Sequence, residues 1–179
     1  MRPTIVIYKS KYGTTQAYAK KIAKKLDTEA ILVEQLKEFH KIGEYENVVL
    51  CLPVYNSGLA GMNTIKARYY MISEKNITLL MVGMSDPADE GSIYHVINNS
   101  LTDNMKRKFE IYYANGKMRY NGLMFADKLS WNNWMKRLAK VPVDELNDKQ
   151  KEMLEHAKDR VDFYDESMVE SLIAHVRNI

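Results

Sequence analysis

The chain has 179 residues, 46% hydrophobic and 27% charged, enough to bury a core of ordinary globular composition without disulfides or metals. Its 26 basic and 23 acidic residues leave a net charge of +3, too small for a dedicated nucleic-acid binder. The single cysteine, Cys51, excludes an intrachain disulfide and any Cys-rich metal centre.

No apolar run reaches the ~18 residues of a membrane span. A strand-like segment starts directly after Met1-Arg2-Pro3, leaving no room for a secretion signal, so a cytoplasmic protein is expected. Charge is uneven along the chain. The first 142 residues carry an excess of eight positive charges, and the last 37 an excess of five negative ones. This reads either as solvated helix faces or as a basic patch for an anionic partner or lipid surface.

Residues 4–8 are apolar and mostly β-branched or aromatic, which predicts a buried strand. Residues 10–13 form a loop. From Thr14 the pattern turns helical, with Thr15, Ala19, Ile22 and Leu26 on one stripe. A second strand is predicted over 30–33 and a third over 48–52, closed by Pro53. Met62, Ile65, Tyr69 and Ile72 mark an amphipathic helix, and 77–82 a fourth strand ended by Gly83. A helix over 92–104 and a fifth strand over 109–113 follow. Asn115-Gly116 is a turn signal. Beyond it, Trp131, Trp134, Met135 and Leu138 line one face of a helix over 129–138, and Val141-Pro142 breaks it. Two more helices are predicted, near 147–160 and 166–177.

Five apolar segments recur at intervals of roughly 20–30 residues, alternating with helical ones. Near-continuous apolar strands are covered on both faces, so the class is α/β, an open parallel sheet with helices on both sides. The expected organisation is one domain over 1–179, with a core over 3–123 and a helical appendage over 124–179.

The first strand runs into Ser10-Lys11-Tyr12-Gly13-Thr14-Thr15 and then a helix. Unpaired amides and the helix dipole make this a natural anion site, and Gly13 lets the backbone approach a phosphate closely. The same loop also reads as a plain N-cap that binds nothing. It is neither a Walker A loop nor a Gly-x-Gly-x-x-Gly fingerprint.

The segment 8–19 resembles the FMN-phosphate loop of flavodoxins, Ser/Thr-x-Ser/Thr/Tyr-Gly-x-Thr ahead of the first helix. Pro53-Val54-Tyr55-Asn56-Ser57-Gly58, after the third strand, resembles the second flavin loop of that fold. Gly83-Met84-Ser85-Asp86-Pro87 falls where the family places its third loop. The resemblance covers 3–123 and implies a flavodoxin-like three-layer sandwich with sheet order 2-1-3-4-5 and FMN at the switch between strands one and three. The segment 116–123, the Trp-bearing helix and residues 160–165 resemble the flavodoxin-domain group that includes menaquinone-dependent protoporphyrinogen dehydrogenases.

The resemblance implies a phosphate held by Ser10, Lys11, Tyr12, Gly13, Thr14 and Thr15. FMN is favoured over FAD because no second nucleotide fingerprint is visible. Tyr55 either stacks on the flavin ring or simply packs. Pro53, Val54, Asn56, Ser57 and Gly58 would line the ring, and Gly83, Ser85 and Asp86 its pyrimidine side. Asp86 equally reads as the cap of the following helix. The implied partner is a redox protein or a quinone, with a peripheral membrane contact through the helix over 128–140 as one option and a docked core helix as the other. Two roles follow: an FMN-dependent electron carrier, or a protoporphyrinogen dehydrogenase-type enzyme. A flavin-free regulatory or interaction module is the alternative of another class. No catalytic side chain is assigned. His40, His95, His156 and His175 lack metal-ligand spacing, no Gly-x-Ser-x-Gly elbow is present, and Cys51 sits in an apolar strand where a thiol is inert.

Overall fold

A computed structural model describes residues 2–179. In chain order the elements are β1 (Thr4–Tyr8), α1 (Thr14–Lys25), β2 (Ala30–Leu32), β3 (Asn47–Tyr55), β4 (Gly58–Leu59), α2 (Met62–Ala67), β5 (Asn76–Gly83), α3 (Glu90–Ser100), α4 (Asp103–Lys108) and β6 (Glu110–Asn115). They continue with β7 (Lys117–Arg119), α5 (Phe125–Leu138), α6 (Asp148–Glu155), β8 (Arg160–Asp162) and α7 (Glu170–Asn178). Short 3-10 turns lie between several of them, including Val33–Lys37, His40–Glu44, Tyr69–Met71 and Glu166–Val169. No helix among the described residues is long and apolar enough to cross a membrane.

The chain forms two compact units. The larger holds the residues up to Asn115 together with Asp165–Ile179; the smaller is Gly116–Tyr164. The sequence places a boundary after residue 123 and keeps 124–179 together. Compactness instead cuts at 115 and 164, because the apolar stripe of α7 is buried in the larger unit.

The larger unit is an α/β sandwich whose parallel strands run in the order β2-β1-β3-β5-β6, with β4 folded back antiparallel on β3. This is the 2-1-3-4-5 arrangement expected of the five long strands. Register explains the double burial. Ile5, Val48 and Ile77 are neighbours across three strands, as are Ile7, Leu50 and Leu79. All six belong to one buried cluster with Leu36, Ile65, Ile72, Met105 and Phe109. Intervening residues point the other way. Val6 lies beside Val49, and Tyr8 beside Cys51, again buried. On that side α1 contributes Tyr18, Ala19 and Ile22, and α7 contributes Leu172, Ile173 and Val176. Each fully buried Ile or Leu stabilises by about 1.5–3 kcal/mol relative to exposure. Burial also drives the Cys51 thiol pKa far upward, which suppresses the reactive thiolate.

Several predicted boundaries shift. The third strand does not close at Pro53 but continues to Tyr55. The Pro53 carbonyl accepts from the Ala60 amide, so its missing N–H faces the short β4 side and costs no bond to β5. The helix predicted over 92–104 breaks at Leu101-Thr102, because the Thr102 hydroxyl caps a new helix by accepting from the Met105 amide at 3.3 Å. The helix predicted near 147–160 stops at Glu155, and Arg160–Asp162 is a strand.

The smaller unit pairs β7 with β8 antiparallel, Met118 opposite Val161, both buried. Its other buried side chains include Trp131, Met135, Leu138, Leu146 and Met153. Trp131 donates its indole N–H to the Ala157 carbonyl at 2.8 Å and meets Trp134 edge-on, with centroids 5.4 Å apart. The α6 helix begins with a capping box between Asn147 and Gln150.

Tyr18 ties the larger unit where the chain leaves and returns. Its side chain is fully buried, and its hydroxyl donates to the Asn115 carbonyl at 2.7 Å and accepts from the Asp165 amide at 3.2 Å. Tyr18→Phe removes both hydrogen bonds from a fully buried side chain and should destabilise by about 1–3 kcal/mol. Urea unfolding checks this: the midpoint should fall while the slope stays unchanged.

Candidate functional site

Three loops gather polar groups at the carboxyl ends of β1, β3 and β5, all within the larger unit. The first is residues 9–13. Gly13 occupies the left-handed region with φ of 90° and starts α1 without a side-chain cap. A side chain there would strain the backbone, which is why glycine serves. The Ser10 Oγ accepts the Gly13 amide at 3.1 Å, so this amide is spent inside the loop. Thr14 and Thr15 follow, both buried. The Thr14 hydroxyl is buried and has no hydrogen-bond partner. An orphaned hydroxyl in the first turn, beside helix amides that lack intrahelical acceptors, fits an incoming anion. Gln16 donates to the Tyr8 hydroxyl at 3.0 Å, and Lys9 pairs with Glu34.

The second loop is a tight hairpin. Val54 pairs with Leu59 and Tyr55 with Gly58, leaving Asn56 and Ser57 as its two turn residues. Both have positive φ, 48° and 61°. Two such residues match the twist of flanking strands, and a non-glycine pair stores strain that surrounding contacts must hold. The Asn99 amide supplies one by donating to the Ser57 carbonyl at 3.1 Å. Ser100 supplies another, its Oγ accepting the Leu59 amide at 2.9 Å. Neither was singled out from sequence, since nothing in the α3 pattern marks them.

Tyr55 and Tyr12 join the first two loops. Their rings meet edge to face, centroids 6.2 Å apart. The Lys11 ammonium lies 5.4 Å from the Tyr12 ring centre and 5.9 Å from that of Tyr55. Tyr55 is half-buried, with Asn56 and Ser57 exposed beside it.

The third loop is anchored from β6. The Ser85 carbonyl accepts from the Asn115 side-chain amide at 2.7 Å and from the Tyr113 hydroxyl at 3.2 Å. Burial pushes the Tyr113 phenol pKa well up, keeping it a neutral donor. Asp86 does not cap α3. Its carboxylate accepts the Ala88 amide at 2.9 Å in a local turn, while Asp89 caps the helix through the Ser92 amide at 3.0 Å. Gly83 is buried. A Cβ on it would stand 2.5 Å from the Tyr113 hydroxyl, so its role in the structure is to admit that ring. Pro53 is buried and Val54 half-buried beneath the hairpin. No group of three or more His, Cys, Asp or Glu among the described residues could hold a metal.

The larger unit is a doubly wound parallel sheet with a hydroxyl-bearing loop after its first strand, at the point where strand order reverses. The sequence model of one family, described as Flavodoxin domain, matches residues 5–143, and the chain belongs to that family. A search of curated proteins finds no match. Among solved structures, the chain is similar to the Trp repressor binding protein from Bacillus subtilis, with 17% identity over 63% of this chain and 82% of that one, at a TM-score of 0.43. It is also similar to a Fusobacterium nucleatum flavodoxin bound to flavin mononucleotide, with 20% identity over 71% and 77% of the two chains, at a TM-score of 0.46. A third is a flavoprotein in complex with FMN from Lactobacillus acidophilus, with 12% identity over 64% and 93%, at a TM-score of 0.41.

The contact between Gly83 and Tyr113 gives a sharp test of the third loop. Gly83→Ala should destabilise by about 1–3 kcal/mol, as overpacking does, because the partly buried Tyr113 ring is held in place by its hydroxyl's bond to the Ser85 carbonyl. Adding Tyr113→Phe removes the closest atom. Thermal melts of both single variants and the double should therefore show a double-variant loss smaller than the sum.

Proposed function

We propose that this chain binds one FMN and works as a redox protein that passes electrons through the flavin. The observation that carries the reading is the Thr14 hydroxyl, buried without a partner at the start of α1 in a chain of the flavodoxin-domain family. FMN supplies the electron chemistry when bound; the protein supplies position and electrostatics. Thr14, Thr15 and the Ser10 hydroxyl would hold the phosphate, with the free amides at the α1 start and the Lys11 charge alongside. Tyr55, with Asn56, Ser57 and Gly58, would border the ring on one side. Ser85 and Asp86 would lie toward its pyrimidine edge, their loop held by Asn115 and Tyr113.

A narrower reading is a quinone-linked porphyrinogen dehydrogenase. It is supported by the start of α5, where Met124, Phe125 and Leu129 are 61%, 84% and 53% exposed around Lys128. Apolar side chains interleaved with a cation suit the edge of a membrane, where quinones reside. Trp131 does not contribute to that surface, being enclosed within the smaller unit. Quinone-dependent oxidation of protoporphyrinogen by flavin-loaded protein distinguishes this enzyme from a carrier, which turns over neither.

FMN titration into flavin-free protein should give one saturable site with a shifted flavin absorbance; a chain that takes up no flavin overturns the reading. Thr14→Val keeps the side-chain shape and removes the hydroxyl. A charge-assisted hydrogen bond is worth about 1.5–3 kcal/mol, so FMN should bind at least about tenfold more weakly while riboflavin barely changes. Equal losses for both ligands would mean that Thr14 shapes the loop and does not hold phosphate.

A further inference from the structure

A cavity of about 270 Å³ opens on the side of the β3–β4 hairpin that faces α2 and α3. Tyr55, Gly58, Asn63, Lys66, Asn99 and Ser100 are in its lining; residues 10–15 and 83–86 are not. It is therefore a different hollow from the anion loop at the start of α1.

The lining has donors and no acid. Lys66 is half-buried and takes part in none of the ion pairs among the described residues. Ser100 is 5% exposed. Its Oγ accepts the Leu59 amide at 2.9 Å, and its own proton goes to no acceptor among the described residues. Asn63, in the first turn of α2, adds an amide. The Asn99 amide is already spent on the Ser57 carbonyl. A half-buried ammonium and a buried hydroxyl with an unused proton, facing one hollow without a carboxylate, make a site that an anion satisfies.

We propose that this cavity binds a small organic carboxylate, held between the Lys66 ammonium and the Ser100 hydroxyl. A carboxylate brings one negative charge to the one cation and two oxygens to the two donors. A phosphate dianion would leave charge and oxygens unmatched. The volume lies just below the ~300–1,000 Å³ of typical small-molecule pockets, so it takes a small acid or the acidic arm of a larger molecule. Tyr55 and Gly58 are shared with the face proposed to border the flavin ring, whereas Lys66, Ser100 and Asn63 are not.

Calorimetric titration with benzoate tests the proposal, using benzamide as the uncharged counterpart, on flavin-free and on FMN-saturated protein. Wild-type protein should bind benzoate at one saturable site and benzamide at least about tenfold more weakly. Lys66→Met should weaken benzoate by at least about tenfold, Lys66→Arg should retain most of the affinity, and Ser100→Ala should lose several-fold. Circular dichroism and Lys66→Gln guard against a folding defect in any one variant. Saturating FMN should leave benzoate binding intact. The proposal is overturned if wild-type protein shows no saturable benzoate binding, if both Lys66→Met and Lys66→Gln bind as wild type does, or if benzamide binds equally. Displacement of benzoate by FMN also overturns it, because the cavity would then belong to the flavin. A chain that takes up no FMN would sink the flavin reading and leave these titrations to stand or fall by themselves.

Discussion

Ile7, Leu50 and Leu79 stand side by side across three parallel strands, and the next residues, Tyr8, Cys51 and Leu80, turn into a second buried layer behind them. Strands covered on both faces have no room for polar side chains along their length. The chemistry is pushed to the strand ends. Thr14, Tyr55 and Ser85 all stand at or just past the carboxyl ends of buried strands, Thr14 in the first turn of a helix whose leading amides lack intrahelical acceptors. Had one face of the sheet been solvated, polar side chains would alternate along β3 and β5 and the loops would have less claim on function.

The loops are held by residues remote in sequence. Asn115, fully buried, donates its side-chain amide to Ser85 in the third loop and its backbone amide to the Met168 sulfur, while its carbonyl accepts from Tyr18. One residue at the end of β6 thus connects a candidate ligand loop, the first helix and the segment leading to α7. The chain departs for the smaller unit one residue later. An insertion of this size is compatible with an intact sandwich because Tyr18 binds both the point of departure and the point of return. The hairpin is managed the same way. Its two positive-φ residues are restrained by Asn99 and Ser100, which come from a helix more than forty residues further along.

The smaller unit packs its two tryptophans together. Trp131 is enclosed and hydrogen-bonded, and Trp134 lies against it. Its most exposed apolar groups include Met124 and Phe125, which precede the Trp-bearing segment that periodicity picks out, and Leu129 at that segment's first position is exposed as well. The 129–138 stripe identified the inner face of α5 correctly. Periodicity marks which residues share a face; it does not mark which exposed residue at a helix start is left uncovered.

Local patterns alone determined the α/β class, the five parallel strands and the place of the first loop, because double-sided burial demands unbroken apolar runs and a turn after a strand demands small or hydroxylated residues. The sheet order came through resemblance to a family. Thr14 was visible as one of several loop hydroxyls. Only the tertiary structure decided that its oxygen is the one buried without a partner, that Gly83 makes room for Tyr113, that Asp89 and not Asp86 caps α3, and that Lys66 and Ser100 share a cavity. Each of these is a meeting of side chains from different elements. Sequence periodicity reports the face a residue takes on its own element, whereas hydrogen-bond partners and close contacts depend on which elements the core brings together.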